Sequence, residues 1–218
     1  QNAFISIEDE RFPIHNGVDI KRTLKATLTY FLDKLTGKGG QASLGGSTIT
    51  QQLIKNITGD DEQTISRKIS EISKAIDLEK KLSKDQILEL YLNCIFLSQN
   101  CHGVQTAANL YFDKDVSQLN LAECASIASI TQNPALYDPF INPDKNKEKQ
   151  ELVLAKMLSL GYITQEEYDE AVNYPLTFSK DTAATKKEEI ITSYYVDQVV
   201  RDAISRLQEK GYSESLAT

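Results

Sequence analysis

Two glycines, a block of hydroxyls and amides, and a closing lysine make up Gly45-Gly46-Ser47-Thr48-Ile49-Thr50-Gln51-Gln52-Leu53-Ile54-Lys55-Asn56. A solvent-facing helix is ordinarily built from Glu and Lys, which form helix more readily than Ser or Thr. Here side chains that hydrogen-bond but mostly carry no charge follow a flexible entry. Such a surface suits a sugar or a phosphate. Lys55 by itself is a cation near a helix C-terminus. Downstream, Arg67, Glu71 and Lys74 stand at i, i+4 and i+7 and share one helical face. A carboxylate flanked by two cations is either a solvated ion-pair ladder, worth little, or part of an anion site. Glu8 lies in the acidic triplet Glu8-Asp9-Glu10 and is unremarkable in isolation. His102 stands beside Cys101, but adjacent residues rarely present both side chains to one substrate, so a thiol nucleophile is not indicated.

The elements that would position these groups read as helical nearly throughout. Ile65, Ile69, Ile72 and Ile76 recur at three- and four-residue steps and predict one buried face, opposite to Arg67 and Glu71. Ser83 with Gln86 forms a capping box ahead of Ile87–Leu92. Asn120 with Glu123, and Thr164 with Glu167, mark two further helix starts. Asp144 is expected to cap a helix running to Leu160, ended by Gly161 in the left-handed position. Asn133-Pro134, Asp138-Pro139 and Asn142-Pro143 punctuate an irregular loop. Residues 173–192 read as a short strand or extended linker, and Ser193–Lys210 as a last amphipathic helix.

A chain of 218 residues can bury a sizeable core, and 40% hydrophobic with 25% charged residues is ordinary for a soluble globular protein. Residues 1–81 carry 12 Lys+Arg against 11 Asp+Glu, and residues 82–218 carry 12 against 20, so the acidic bulk argues against nucleic acid. No window approaches the roughly 18 apolar residues of a membrane span. The start at Gln1, with no Met and no leader-like pattern, leads to the expectation of a piece cut from a longer protein. Cys94, Cys101 and Cys124 lack CxxC spacing, which leaves one disulfide and a thiol, or three thiols.

The motifs Glu8-Asp9-x-x-Phe12-x-x-His15-x-Gly17-Val18-Asp19, Gly45–Asn56, Arg67-Lys68-x-x-Glu71 and Lys84-x-x-Ile87-Leu88-Glu89-Leu90-Tyr91-Leu92-Asn93 resemble, in that order, those of family 51 glycosyltransferases. These are the peptidoglycan glycosyltransferase domains of class A penicillin-binding proteins and the monofunctional transglycosylases. Gly103-Val104-Gln105-x-Ala107-Ala108-x-x-Tyr111-Phe112 matches a fifth motif, preceded by Cys101-His102 where many members carry Arg-Gly or Tyr-Gly. The likeness covers about residues 5–172.

The resemblance implies a mainly α, lysozyme-like fold with a large helical lobe and a smaller membrane-facing lobe. It implies a glycosyltransferase domain over 1–172, with 173–218 a linker towards an absent transpeptidase domain. The implied reaction polymerises lipid II into β-1,4-linked glycan with inversion and release of undecaprenyl diphosphate. Glu8 takes the place of the catalytic base, and Glu71 that of the second family glutamate, assigned to leaving-group assistance, metal coordination or organising the cations. Lys55, Arg67 and Lys68 fall on positions that meet the diphosphate. Ser47, Thr50 and Gln52 read as hydrogen-bonding groups around it, and Asp9 and His15 as further substrate-binding residues. No cofactor is obligatory, with Mg2+ or Mn2+ at the diphosphate, held by Glu71, as an option. Implied partners are lipid II, a lipid-linked glycan, the membrane surface and other cell-wall synthesis proteins, and no nucleic acid. The implied location is the outer face of the bacterial cytoplasmic membrane, with an anchoring helix outside this sequence. The stretch Ala26–Leu35 and the loop Gly37–Gly46 are expected to be mobile and to expose apolar groups to lipid. No SxxK motif stands in a suitable context, so penicillin-binding chemistry is not expected of these residues. A lytic enzyme of the same fold would need neither Lys55 nor Arg67, and an inactive binding module would be expected to lack Glu8 or Glu71.

Overall fold

Local chemistry sets most of the helix boundaries in the computed structural model, which describes residues 1–24, 46–59 and 64–179. Helix α1 is Asn2–Glu8, α2 Ile49–Thr58, α3 Ile65–Glu79, α4 Lys84–Cys94, α5 Val104–Phe112, α6 Leu121–Ser129, α7 Pro143–Ser159 and α8 Gln165–Asn173. A short 3-10 turn at Val116–Gln118 separates α5 from α6. No strand is formed among the described residues, so the mainly helical expectation holds there. Reciprocal capping boxes, Ser83 with Gln86, Asn120 with Glu123 and Thr164 with Glu167, start α4, α6 and α8 as their sequences predict. Thr48 with Gln51 does the same for α2.

Two expectations need correction. Helix α7 begins two residues earlier than predicted, with Pro143 in its first turn and Asn142, not Asp144, as an N-cap that makes no side-chain bond. Asp144 therefore lies inside the first turn, where its charge favours the helix dipole but caps nothing. Gly161 does end that helix region with φ +73°. In α3 the predicted faces are exchanged. Ile69 is 63% exposed and Ile76 37% exposed, while Glu71 and Ala75 are buried. The reason is tertiary. Helix α3 packs against α2, and the polar side chains of α2 offer Glu71 a partner that an aliphatic side chain could not use.

Helix α1 lies between two groups of helices. It packs on α6 and α7, which pack on each other, and the Phe4 ring meets Tyr91 of α4 edge-on at 6.3 Å. Helices α3 and α4 both pack on α2, and α8 closes against α7 and α6. The core is a continuous set including Phe4, Phe12, Leu53, Ile87, Tyr91, Tyr111, Ile127 and Leu154. The end of α1 is thereby held at the junction of both groups, and Glu8 is its last residue.

Cys94, Cys101 and Cys124 are free thiols, which resolves the alternatives left open by their spacing. Burial pushes Cys94 up to about 11 and Cys101 up to about 12. A thiol so reluctant to ionise is no nucleophile, in keeping with the reading of Cys101-His102. No helix among the described residues is long and apolar enough to cross a membrane. The expected mobile stretch, Ala26–Leu35 with most of Gly37–Gly46, lies outside the described residues, as does Ser193–Lys210. Residues 175–179 have no regular structure, and the rest of 173–192 lies outside as well.

Candidate active site

The N-terminal half of α2 organises the site. Thr48 accepts from the Gln51 backbone N–H at 3.2 Å and donates to the Gly17 carbonyl at 2.6 Å, which fastens the helix start to the loop after α1. Gly17 has φ +85°, and a Cβ there would lie 2.7 Å from the Ala75 backbone, so only glycine lets that loop lie on α3. Asp9 adds a second fastening, accepting the Ile49 N–H at 2.9 Å, one of the donors a helix start leaves unpaired.

Gln51 and Gln52 are consecutive and serve two carboxylates. The Gln51 amide donates to Glu71 Oε1 at 3.1 Å. The Gln52 amide donates to Glu8 Oε2 at 2.8 Å, and its oxygen accepts from Tyr91 Oη at 3.1 Å. Burial, and then the Glu8 charge, raise the Tyr91 phenol well above its usual value, so it stays a donor. Glu8, only 7% exposed, receives a further hydrogen bond on Oε1 from Thr131 at 2.5 Å. Lys149, nine-tenths buried, donates to Gln132 Oε1 at 2.6 Å and feels the Glu8 charge. Burial holds its ammonium below the usual lysine range, partly offset by Glu8.

Around Glu71 the sequence ladder becomes an inward-facing cluster. Arg67 pairs with Glu71 Oε2 at 2.6 Å, and Lys68 pairs with Oε1 while donating to Ser47 Oγ at 2.8 Å. Lys68, not Lys74, supplies the second cation. Both Glu71 oxygens are engaged, and among the described residues no three His, Cys, Asp or Glu side chains converge as a metal set. A divalent ion bound to Glu71 would have to displace Arg67 or Lys68. Among the described residues the protein by itself offers no cation site.

The remaining expected site residues separate into two groups. Ser47 and Gln52 are half-buried beside the two carboxylates, and Lys55 is exposed near the end of the same helix. Thr50 turns away, fully buried, and donates to Glu79 Oε1 at 2.6 Å. Asp9 and His15 are buried too. His15 Nε2 lies 2.8 Å from Asp9 Oδ2, and its other nitrogen is 3.9 Å from Glu79, which Lys84 pairs at 2.6 Å. Asp9, His15 and Thr50 brace the loop and α2 from beneath.

Gln51, Tyr91, Thr131 and Lys149 did not stand out in the sequence as site residues. Gln51 lay inside the polar run, and Thr131 immediately precedes Gln132-Asn133-Pro134; no spacing marked Lys149, which α7 carries in from 141 residues along the chain.

The family model described as transglycosylase matches residues 1–158. Penicillin-binding protein 1A of Aquifex aeolicus is 39% identical over 215 residues, covering 99% of this chain and 28% of that protein. Penicillin-binding protein 1A of Clostridium botulinum is 45% identical over 196 residues, covering 86% of this chain and 24% of that protein. The chain thus spans about a quarter of the length of these relatives. A crystal structure of penicillin-binding protein 1A from Haemophilus influenzae aligns with 72% of this chain and 20% of its own, at 32% identity and a TM-score of 0.44.

Proposed function

The chain belongs to the transglycosylase family, and from that premise we propose that it is a peptidoglycan glycosyltransferase that polymerises lipid II with Glu8 as the general base. The observation that carries this reading is that one helix, α2, holds two carboxylates of two other helices: Gln52 holds Glu8 of α1 while Gln51 holds Glu71 of α3 with its two cations.

A sugar hydroxyl is a poor nucleophile until its proton is removed as it attacks. In the proposed reaction the 4-hydroxyl of the acceptor GlcNAc attacks C1 of the donor MurNAc and its proton passes to Glu8. The bond from C1 to the diphosphate oxygen breaks as the new C1–O bond forms on the opposite face. The α linkage becomes a β-1,4 linkage, and undecaprenyl diphosphate departs. Charge grows on the leaving diphosphate, and cations fixed beforehand stabilise it most effectively. Arg67 and Lys68 are so fixed by Glu71 and Ser47, and Lys55 adds an exposed charge.

On this reading residues 1–172 form the catalytic domain, and the lipid-linked substrates place the enzyme at the outer face of the cytoplasmic membrane. The test is polymer formation from lipid II. Wild-type chain should lengthen glycan, and Glu8→Gln should lose activity by about 10²–10⁴-fold without loss of melting temperature. Shortening of preformed glycan by the wild type would overturn polymerisation in favour of a lytic enzyme.

A further inference from the structure

We propose that Thr131 is a positioning residue for the Glu8 base, a hydroxyl that donates to the ionised carboxylate and turns away when the carboxylate takes a proton. This rests on the reading of Glu8 as the base.

The geometry is that of one hydrogen between two acceptors. Thr131 Oγ1 lies 2.5 Å from Glu8 Oε1 and 3.0 Å from the Ala128 carbonyl. A threonine hydroxyl has one proton and two lone pairs, so it donates to only one of them at a time. The Ala128 carbonyl is among the last four of α6, which lack a partner further along the helix. Both positions of the hydroxyl proton therefore satisfy a group that otherwise goes short. The branched side chain is stiff at χ1, and a rotation about Cβ–Oγ1 moves the proton with no heavy atom displaced.

The other carboxylate oxygen has no such freedom. Gln52 donates to Oε2 through its amide nitrogen, and its own oxygen is committed to Tyr91. Once Glu8 has accepted the hydroxyl proton of the acceptor sugar, a donor held against Oε1 would compete with the new carboxyl hydrogen. Thr131 can turn to Ala128 and present a lone pair instead. Oε1 is thus the oxygen whose surroundings adapt to both protonation states.

Charged and titratable groups also meet Glu8 from the neighbouring elements. Lys149 of α7 is within electrostatic reach, as is the Tyr91 phenol of α4. Arg22 donates to the Glu8 backbone carbonyl, and Asp9 follows in the chain. Helix α2 brings the neutral Gln52 against the carboxylate and the exposed cation of Lys55 further along. Lys149 and Lys55 are fixed background in any Thr131 variant, so a change on removing the hydroxyl belongs to the hydroxyl.

The experiment is lipid II polymerisation by wild type, Thr131→Val, Thr131→Ser and Glu8→Gln, followed across pH. Valine keeps the shape and removes the donor. Thr131→Val should lower kcat about tenfold with KM within about twofold, and move the acid limb of kcat upward by about one pH unit, because the ionised carboxylate has lost a donor. Thr131→Ser should restore both, which separates the hydroxyl from the methyl packing and covers the case in which the valine variant folds poorly. An inactive Glu8→Gln beside a Thr131→Val with wild-type kcat and acid limb would overturn the Thr131 role alone. Serine as impaired as valine would do the same. A fully active Glu8→Gln would sink the base assignment and this role together.

Discussion

At the scale of single residues, the arrangement keeps charge where it can be used and suppresses it elsewhere. Glu8 and Glu71 are both nearly out of solvent, yet every carboxylate oxygen has a donor. That satisfaction is what makes their burial tolerable, since an unpaired buried charge costs several kcal/mol. The three cysteines are handled the opposite way, by burial that keeps them protonated. A thiol whose folded pKa lies above its unfolded value stabilises the fold below the unfolded value of 9.0. That contribution is lost as pH rises towards the folded value, about 12 for Cys101. Denaturant unfolding of the chain and of Cys101→Ala should therefore differ in slope between pH 9 and pH 11, the variant losing stability more gently. Parallel slopes would remove the Cys101 thiol as a cause. Residue identity alone did not reveal this, because burial decides it and burial is a property of the fold.

At the scale of elements, helix starts were legible and helix faces were not always so. Ser83, Asn120 and Thr164 announce α4, α6 and α8 because a cap is a local bond made within four residues. The facing of α3 is not local. Ile69 and Ile76 have the correct period for a core stripe, but the helix turns its charged side inward to meet Gln51 and Ser47. The close seat of the Gly17 loop on α3 belongs to the same packing. Gly17→Ala should be destabilising by roughly 1–3 kcal/mol, since its φ is unfavourable and its Cβ would strike backbone. Ile69→Gln, by contrast, should alter stability by no more than about 0.5 kcal/mol, as exposed substitutions do. Thermal or denaturant melts of the two variants check both statements. A large loss at Ile69 would mean that the isoleucine stripe is covered after all.

At the scale of the whole molecule, a chain of net charge −7 gathers Arg67, Lys68 and Lys55 around one helix. On the proposed function an anionic lipid-linked substrate approaches an acidic protein and finds a cationic site, so the attraction is short-ranged and open to screening. In neutral detergent, kcat/KM for lipid II should fall several-fold as salt rises from about 50 to about 500 mM, with the Debye length dropping below about 5 Å. The Lys55→Ala variant should start lower and respond less steeply. A salt-independent wild type would argue against diphosphate recognition by these cations. The sequence by itself determined the family, the helical class and most helix starts, and it singled out Glu8, Lys55, Arg67 and Glu71 as candidates. Those are carried by motifs in which type and spacing already express the chemistry. Only the tertiary structure decided that Asp9, His15 and Thr50 are buried, bonded to Ile49, to each other and to Glu79, that Lys68 joins Arg67 on Glu71, and that Thr131 reaches Glu8. These contacts join residues up to 123 positions apart, and a bond across that distance exists only because α1 is packed between α6 with α7 on one side and α4 on the other.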